Sequence, residues 1–130
     1  MSIPLKPGAV VFAKDLQRVA RFYERVLSLA VVHAEADHVV LESALQQIVI
    51  HSIPKRIAAG IHIATPPERR SDTALKLFFA VDSIDAVRAS AAALGGQVDP
   101  PARAWEARGF RAVDGHDPEG NVIQLREPAP

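Results

Sequence analysis

One hundred and thirty residues suffice for one domain or two tightly packed half-domains, but not for two independent globules. Fifteen Lys plus Arg balance fifteen Asp plus Glu, which removes the basic surplus that a nucleic-acid binder needs. With 48% hydrophobic and 23% charged residues the chain can pack a core, and its lack of cysteine excludes disulfides, zinc–thiolate sites, iron–sulfur clusters and thiol catalysis.

The stretch from Met1 to Gly8 has one lysine, two prolines and no long apolar centre, so it does not read as a secretory signal. The apolar runs are strand-sized, far below the ~20 residues that span a bilayer. These features lead us to expect a soluble, cytoplasmic protein with no membrane or nucleic-acid partner.

Ala9 to Ala13 is a continuous apolar run, too short for a helix, and its β-branched content predicts a strand buried on both faces. Asp15 follows as an N-cap. Leu16, Val19, Phe22, Tyr23, Val26 and Leu27 then recur at helical spacing, with Gln17, Arg18, Arg21, Glu24 and Arg25 opposite. Three strands are predicted next, at Val31–Glu35, His38–Glu42 and Gln47–Ile53, and Pro54 closes the last.

The second half repeats that order. Leu75–Val81 reads as a strand, Ser83 as a cap, and Ile84, Val87, Ala91 and Leu94 as a helical stripe ended by Gly95-Gly96. Phe12–Val19 laid on Ala80–Val87 shows matched apolar positions, which points to a duplicated β-α-β-β-β unit. Pro54–Thr73 reads as a linker or pocket lid, with Ile61-His62-Ile63 a possible extra strand, and Val98–Gly109 as a second loop. The fold class expected is therefore α+β, with module one at about 7–53, the linker at 54–73 and module two at about 74–127.

Asp117-Pro118-Glu119-Gly120-Asn121 is a tight turn, in which Pro118 pre-sets φ and Gly120 accepts a positive φ, leading into an alternating strand. This run, together with Lys14-Asp15-Leu16 through Phe22-Tyr23 and the duplication, resembles the vicinal oxygen chelate superfamily of glyoxalases, bleomycin-resistance proteins and extradiol dioxygenases. The resemblance covers nearly the whole chain. It implies two modules forming an open, cup-shaped mixed sheet with helices outside, usually as a homodimer, and it leaves activity open because unrelated chemistries share the scaffold.

Metal-dependent members place one ligand on the first and last strand of each module. Those positions fall here on Gly8, on Ile50 or His51, on Lys76 and on Gln124. Strand alternation favours His51 over Ile50 and predicts a cup of Val10, Phe12, Val49, His51, Lys76, Phe78, Val122 and Gln124. Gly8 offers no ligand and Lys76 offers a cation, so no metal and no cofactor are expected. His33, His38, His62 and His116 show no tight ligand spacing that would replace them.

For each candidate a plainer role stands beside the functional one. His51 serves as ligand contact or general base, or as a half-buried strand histidine. Lys76 serves as a pocket cation or oxyanion-polarising group, or snorkels to a strand rim. Gln124 is lifted above an ordinary polar residue only by its family position. Trp105, read in a loop, stacks on ligand or clamps the loop. Arg111 meets an anion at the cup rim or is a solvated edge residue. Arg69-Arg70 reads as a solvated pair. No glycine-rich phosphate loop or nucleophile elbow is present. The partner implied is a small-molecule ligand bound among His51, Lys76, Gln124, Phe12, Phe78, Trp105 and Arg111. With no carboxylate assigned near Lys76, an anionic ligand is expected to complete the pair. The alternative is a glyoxalase-like lyase or isomerase, or a dioxygenase-type metalloenzyme with an altered ligand set.

Overall fold

Asp15 decides where the first strand becomes a helix. Its backbone is still extended, and its side chain accepts from the Arg18 amide at 3.2 Å, satisfying one of the donors a helix start leaves unpaired. A computed structural model describes residues 4–130; Met1 to Ile3, part of the N-terminal stretch read above, lie outside the described residues. β1 is Gly8–Ala13, α1 Leu16–Val26, β2 Ala30–Ala34, β3 His38–Glu42 and β4 Gln47–Ser52. These strands form one mixed sheet in the order β1-β4-β3-β2, with β1 parallel to β4 and the other neighbours antiparallel.

Alternation assigns the faces. Val39, Leu41, Ile48 and Ile50 are buried on the side that α1 covers, against its Leu16, Val19, Phe22 and Val26. The opposite face is open: Val10 and Phe12 are 55% and 60% exposed. β1 is thus buried on one face only, contrary to the expectation from its unbroken apolar run, because among the described residues no layer covers its second side.

The linker forms a short helix, α2 Lys55–Ala58, and Ile61-His62-Ile63 makes no strand. The second half is β5 Leu77–Ala80, α3 Ile84–Ala93, β6 Gln97–Val98, a 3₁₀ turn at Pro101–Arg103, β7 Trp105–Ala107, β8 Phe110–His116 and β9 Val122–Pro128. Ser83 caps α3 by accepting from the Ala86 amide at 3.1 Å, and Gly95 follows the helix with φ +92°. The sheet runs β5-β9-β8, with β6 and β7 both paired to β8.

Trp105 therefore lies on a strand, not in a loop. β6 and β7 are one strand position cut by Pro100-Pro101, which cannot donate to a ladder. Arg108 and Gly109, both at positive φ, close the hairpin from β7 to β8. The architecture is α+β with two open mixed sheets. Among the described residues no helix is long and apolar enough to cross a membrane.

Candidate functional site

On the first sheet, register puts Val10 beside Val49 and Phe12 beside His51 on the open face. The Phe12 and His51 rings lie 6.0 Å apart. β3 brings His38 directly opposite His51. The two imidazoles stack with centroids 5.8 Å apart and planes 7° from parallel.

On the second sheet, Phe78 pairs with Gln124, Gln124 with Asp114, and Ala112 with both Arg126 and Trp105. All share the open face. Lys76, just ahead of β5, donates to Asp114 at 3.0 and 3.3 Å. This corrects the expectation that Lys76 lacks an acidic partner. The carboxylate sits on β8, and only the β9–β8 register brings it within reach. Gln124 donates weakly to Asp114 at 3.4 Å and accepts from Arg126 Nε at 2.7 Å. The Arg126 guanidinium lies 3.7 Å from the Phe78 ring centroid and 4.3 Å from that of Phe110.

Arg126 was not among the expected residues, although the Val122, Gln124, Arg126 alternation carried its signal. It forms no ion pair among the described residues, and neither does Arg108, which stacks on Phe110 at 5.1 Å. Arg111 goes the other way. It pairs with Glu106 and Glu127 in a row on the helix-covered side, so it is not at the cup rim.

The Phe12–His51 and Lys76–Gln124 groups stay on separate sheets, with no hydrogen bond or ring contact joining them among the described residues. Two clefts of about 400 and 330 Å³ run along the seam between β1 and β5. Val10, Phe12, Leu75 and Val122 border the first, and Gly8, Lys76 and Phe78 the second. A wider depression of about 900 Å³ lies on the helical side, between α1 and the end of α3, lined by exposed Arg18 and Arg21.

The family's metal cage does not fit these residues. The duplication equates Gly8 with Lys76 and Val10 with Phe78. Phe78 pairs with Gln124 and Val10 with Val49, so the first-sheet counterpart of Gln124 is Val49, not His51. The four positions thus hold glycine, valine, a lysine already paired to a carboxylate, and one glutamine. Nor can Gly8 regain a ligand simply, because a Cβ there runs into the Gln47 carbonyl oxygen.

The terminal turn ties the second sheet to the β1–α1 junction and to α1. Asp117, fully buried, accepts from the Glu119 amide at 2.8 Å, the Asn121 amide at 3.1 Å, Asn121 Nδ2 at 2.8 Å and the Tyr23 hydroxyl at 2.8 Å. Burial first, and Asp117 second, push the Tyr23 phenol well above its usual value, so it stays a donor. Glu119 accepts from the Lys14 and Asp15 amides at 2.8 Å each. Arg69 is no solvated pair member. It grips Asp99 at 3.0 and 2.6 Å and donates to His116 Nδ1 at 2.9 Å. Burial first, and the Arg69 charge next, hold His116 below the usual histidine value.

The model of the glyoxalase-like domain matches residues 8–126. No curated protein matches the chain. Among solved structures, the chain is similar to a glyoxalase/bleomycin resistance protein/dioxygenase family enzyme from Burkholderia phytofirmans PsJN, with 19% identity, TM-score 0.69, and 94% of this chain and 97% of that one covered. It is similar to a glyoxalase/bleomycin resistance protein from Albidiferax ferrireducens T118, with 23% identity, TM-score 0.66, and 95% and 98% covered. It also resembles the fosfomycin resistance protein FosX from Mesorhizobium loti, with 17% identity, TM-score 0.63, and 99% and 95% covered. These likenesses establish a shared fold. The match over nearly the whole length, the paired sheets and the Asp117–Asn121 turn together make the chain a member of the glyoxalase-like domain family, within the vicinal oxygen chelate superfamily.

Proposed function

We propose that the chain is a cytoplasmic homodimer that binds a small anionic organic molecule on its open sheet faces, without the divalent metal usual in the family. Residues 7–53 and 74–127 act as the halves of one domain joined by the linker at 54–73. The observation that carries the reading is Arg126, stacked between Phe78 and Phe110 and free of any carboxylate among the described residues. A cation already oriented by aromatic faces and by Gln124 loses little entropy on meeting a carboxylate or phosphate, and the rings accommodate its carbon skeleton. Lys76 contributes less than its position suggested, since Asp114 neutralises it. Trp105 stands at the edge of that face, His51 lies on the other sheet, and Arg111 takes no part.

The test is a thermal-shift screen of matched small carboxylates, phosphates and amines. Anions are expected to stabilise wild type, to lose that effect in Arg126→Gln, and to keep most of it in Lys76→Ala. Preferential stabilisation by amines, or undiminished anion binding by Arg126→Gln, refutes the reading. For the dimer, the support is Phe12 and Phe78, 60% and 56% exposed, with Leu45 and Leu75 more exposed still. Light scattering should show twice the chain mass, and a monomer from micromolar to millimolar concentration removes the claim.

A further inference from the structure

We propose that Asp37, His38 and His51 form a binding site for one divalent transition-metal ion of the zinc, nickel or copper kind, at the end of the first sheet's open face. Each offers a ligand atom, and these atoms all lie within 4.8 Å of one another. His38 Nδ1 is 2.7 Å from Asp37 Oδ1, and His51 Nε2 is 3.7 Å from Asp37 Oδ2. A tetrahedral ion with nitrogen and oxygen ligands spaces them about 3.3 Å apart, so small side-chain rotations close the site. The ion takes the place of the hydrogen bond between His38 and Asp37.

Three features prepare the ligands. His51 Nδ1 donates to the Ser52 carbonyl at 2.9 Å, which leaves the lone pair on Nε2, aimed at Asp37. That is the outer contact by which metal-bound imidazoles are oriented. The Ser52 amide donates to the Asp37 carbonyl at 2.8 Å, and the Glu35 amide to the His38 carbonyl at 2.8 Å, so the turn carrying Asp37 is tied to both flanking strands. His38 and His51 are directly opposed residues of an antiparallel pair, and their rings lie side by side in nearly parallel planes. Imidazole ligands favour zinc, nickel and copper over magnesium and calcium.

This site is not the family's cage displaced. The cage position on β4 is Val49, whereas His51 lies two residues on, about 6.6 Å along the strand. His38 and Asp37 belong to β3 and the turn before it. A second triad, His33, Glu35 and His38, shares His38, so one ion occupies one triad. The first is favoured because His51 is less exposed than His33 and has its tautomer fixed, while His33 follows a register irregularity in β2. The proposal is independent of the anion reading, which concerns the second sheet.

The experiment is titration calorimetry of the full, tag-free chain with zinc chloride at neutral pH, repeated with nickel, and paired with NMR of the histidine ring nitrogens. One equivalent of zinc should bind, shifting the His38 and His51 ring signals. His38→Gln and His51→Gln should each weaken binding more than about tenfold. His33→Gln and His62→Gln should leave it within about threefold. Asp37→Asn, which leaves the histidine stack in place, should also weaken it, and thermal melts show whether each variant is folded. Absence of zinc binding below millimolar concentration, binding unaffected by His51→Gln, or binding lost in His33→Gln but kept in His51→Gln overturns the proposal.

Discussion

Replacing Tyr23 with phenylalanine removes one oxygen from the clasp that joins α1 to the terminal turn. The ring contacts with Phe22 and Phe79, at 5.3 and 6.1 Å, survive the change, so no sizeable cavity opens. What disappears is a 2.8 Å hydrogen bond to a buried carboxylate. Bonds to charged groups contribute about 1.5–3 kcal/mol. Asp117 keeps three other donors, from Glu119 and Asn121, which places the loss in the lower half of that range, about 2 kcal/mol. An unfolding entropy of about 2.1 cal/mol/K per residue over 130 residues turns this into a Tm decrease of about 7 °C. Asp117→Asn should cost more, because an amide nitrogen then faces at least one of the four donors. Tyr23→Phe in that background should cost less than it does alone. Calorimetric melts at pH 7 measure all three variants. A Tyr23→Phe Tm within about 1 °C of wild type, or an undiminished cost in the Asp117→Asn background, refutes the clasp.

His116 supplies a pH dependence. Its folded value lies below 6.5, so as pH falls through that value the unfolded chain takes up a proton first. The stabilisation is complete above the ordinary histidine value and is lost as pH drops toward the folded one, and His116→Gln should flatten the Tm decline on the acid side of neutrality. Gly120→Ala should lower stability by about 2 kcal/mol or more, since φ is +84° and a Cβ collides with the Glu68 carbonyl oxygen. A Gly120→Ala melt matching wild type would show that the linker does not lie against this turn.

Local chemistry made β1, α1 and β3 legible: a short β-branched run, a capping aspartate and an apolar stripe each act within a few residues. The terminal turn was legible for the same reason, through Pro118 and Gly120. Partners set by register were not. Lys76 and Asp114 are joined only because β9 lies between their strands, and no spacing announces that. Arg126 and Arg111 were within reach of alternation alone. Counting by twos from Gln124 puts Arg126 on the open face, and counting from buried Val113 puts Arg111 on the covered one. The histidine pair needed one more step. A hairpin closing with Glu42 opposite Gln47 carries His38 opposite His51 four residues later, which a search for fixed histidine spacing along the chain cannot find.

The duplication explains why the two open faces differ in chemistry while sharing a frame. Val10–Val49 on the first sheet corresponds to Phe78–Gln124 on the second, and Phe12–His51 to Ala80–Arg126. In the first row only the second sheet carries a ring and a polar group; in the next row the ring is on the first sheet and both sheets carry a polar group. The first sheet has an aromatic ring beside an imidazole and two carboxylates at the strand end. The second has an always-charged guanidinium between two rings, with a lysine–aspartate pair beside it. A cage needs ligands converging from both copies on one point, and here they no longer converge. One face gathers donors suited to a cation and the other a cation suited to an anion. The two groups share no hydrogen bond or ion pair among the described residues, so a substitution on one face is expected to leave the chemistry of the other unchanged.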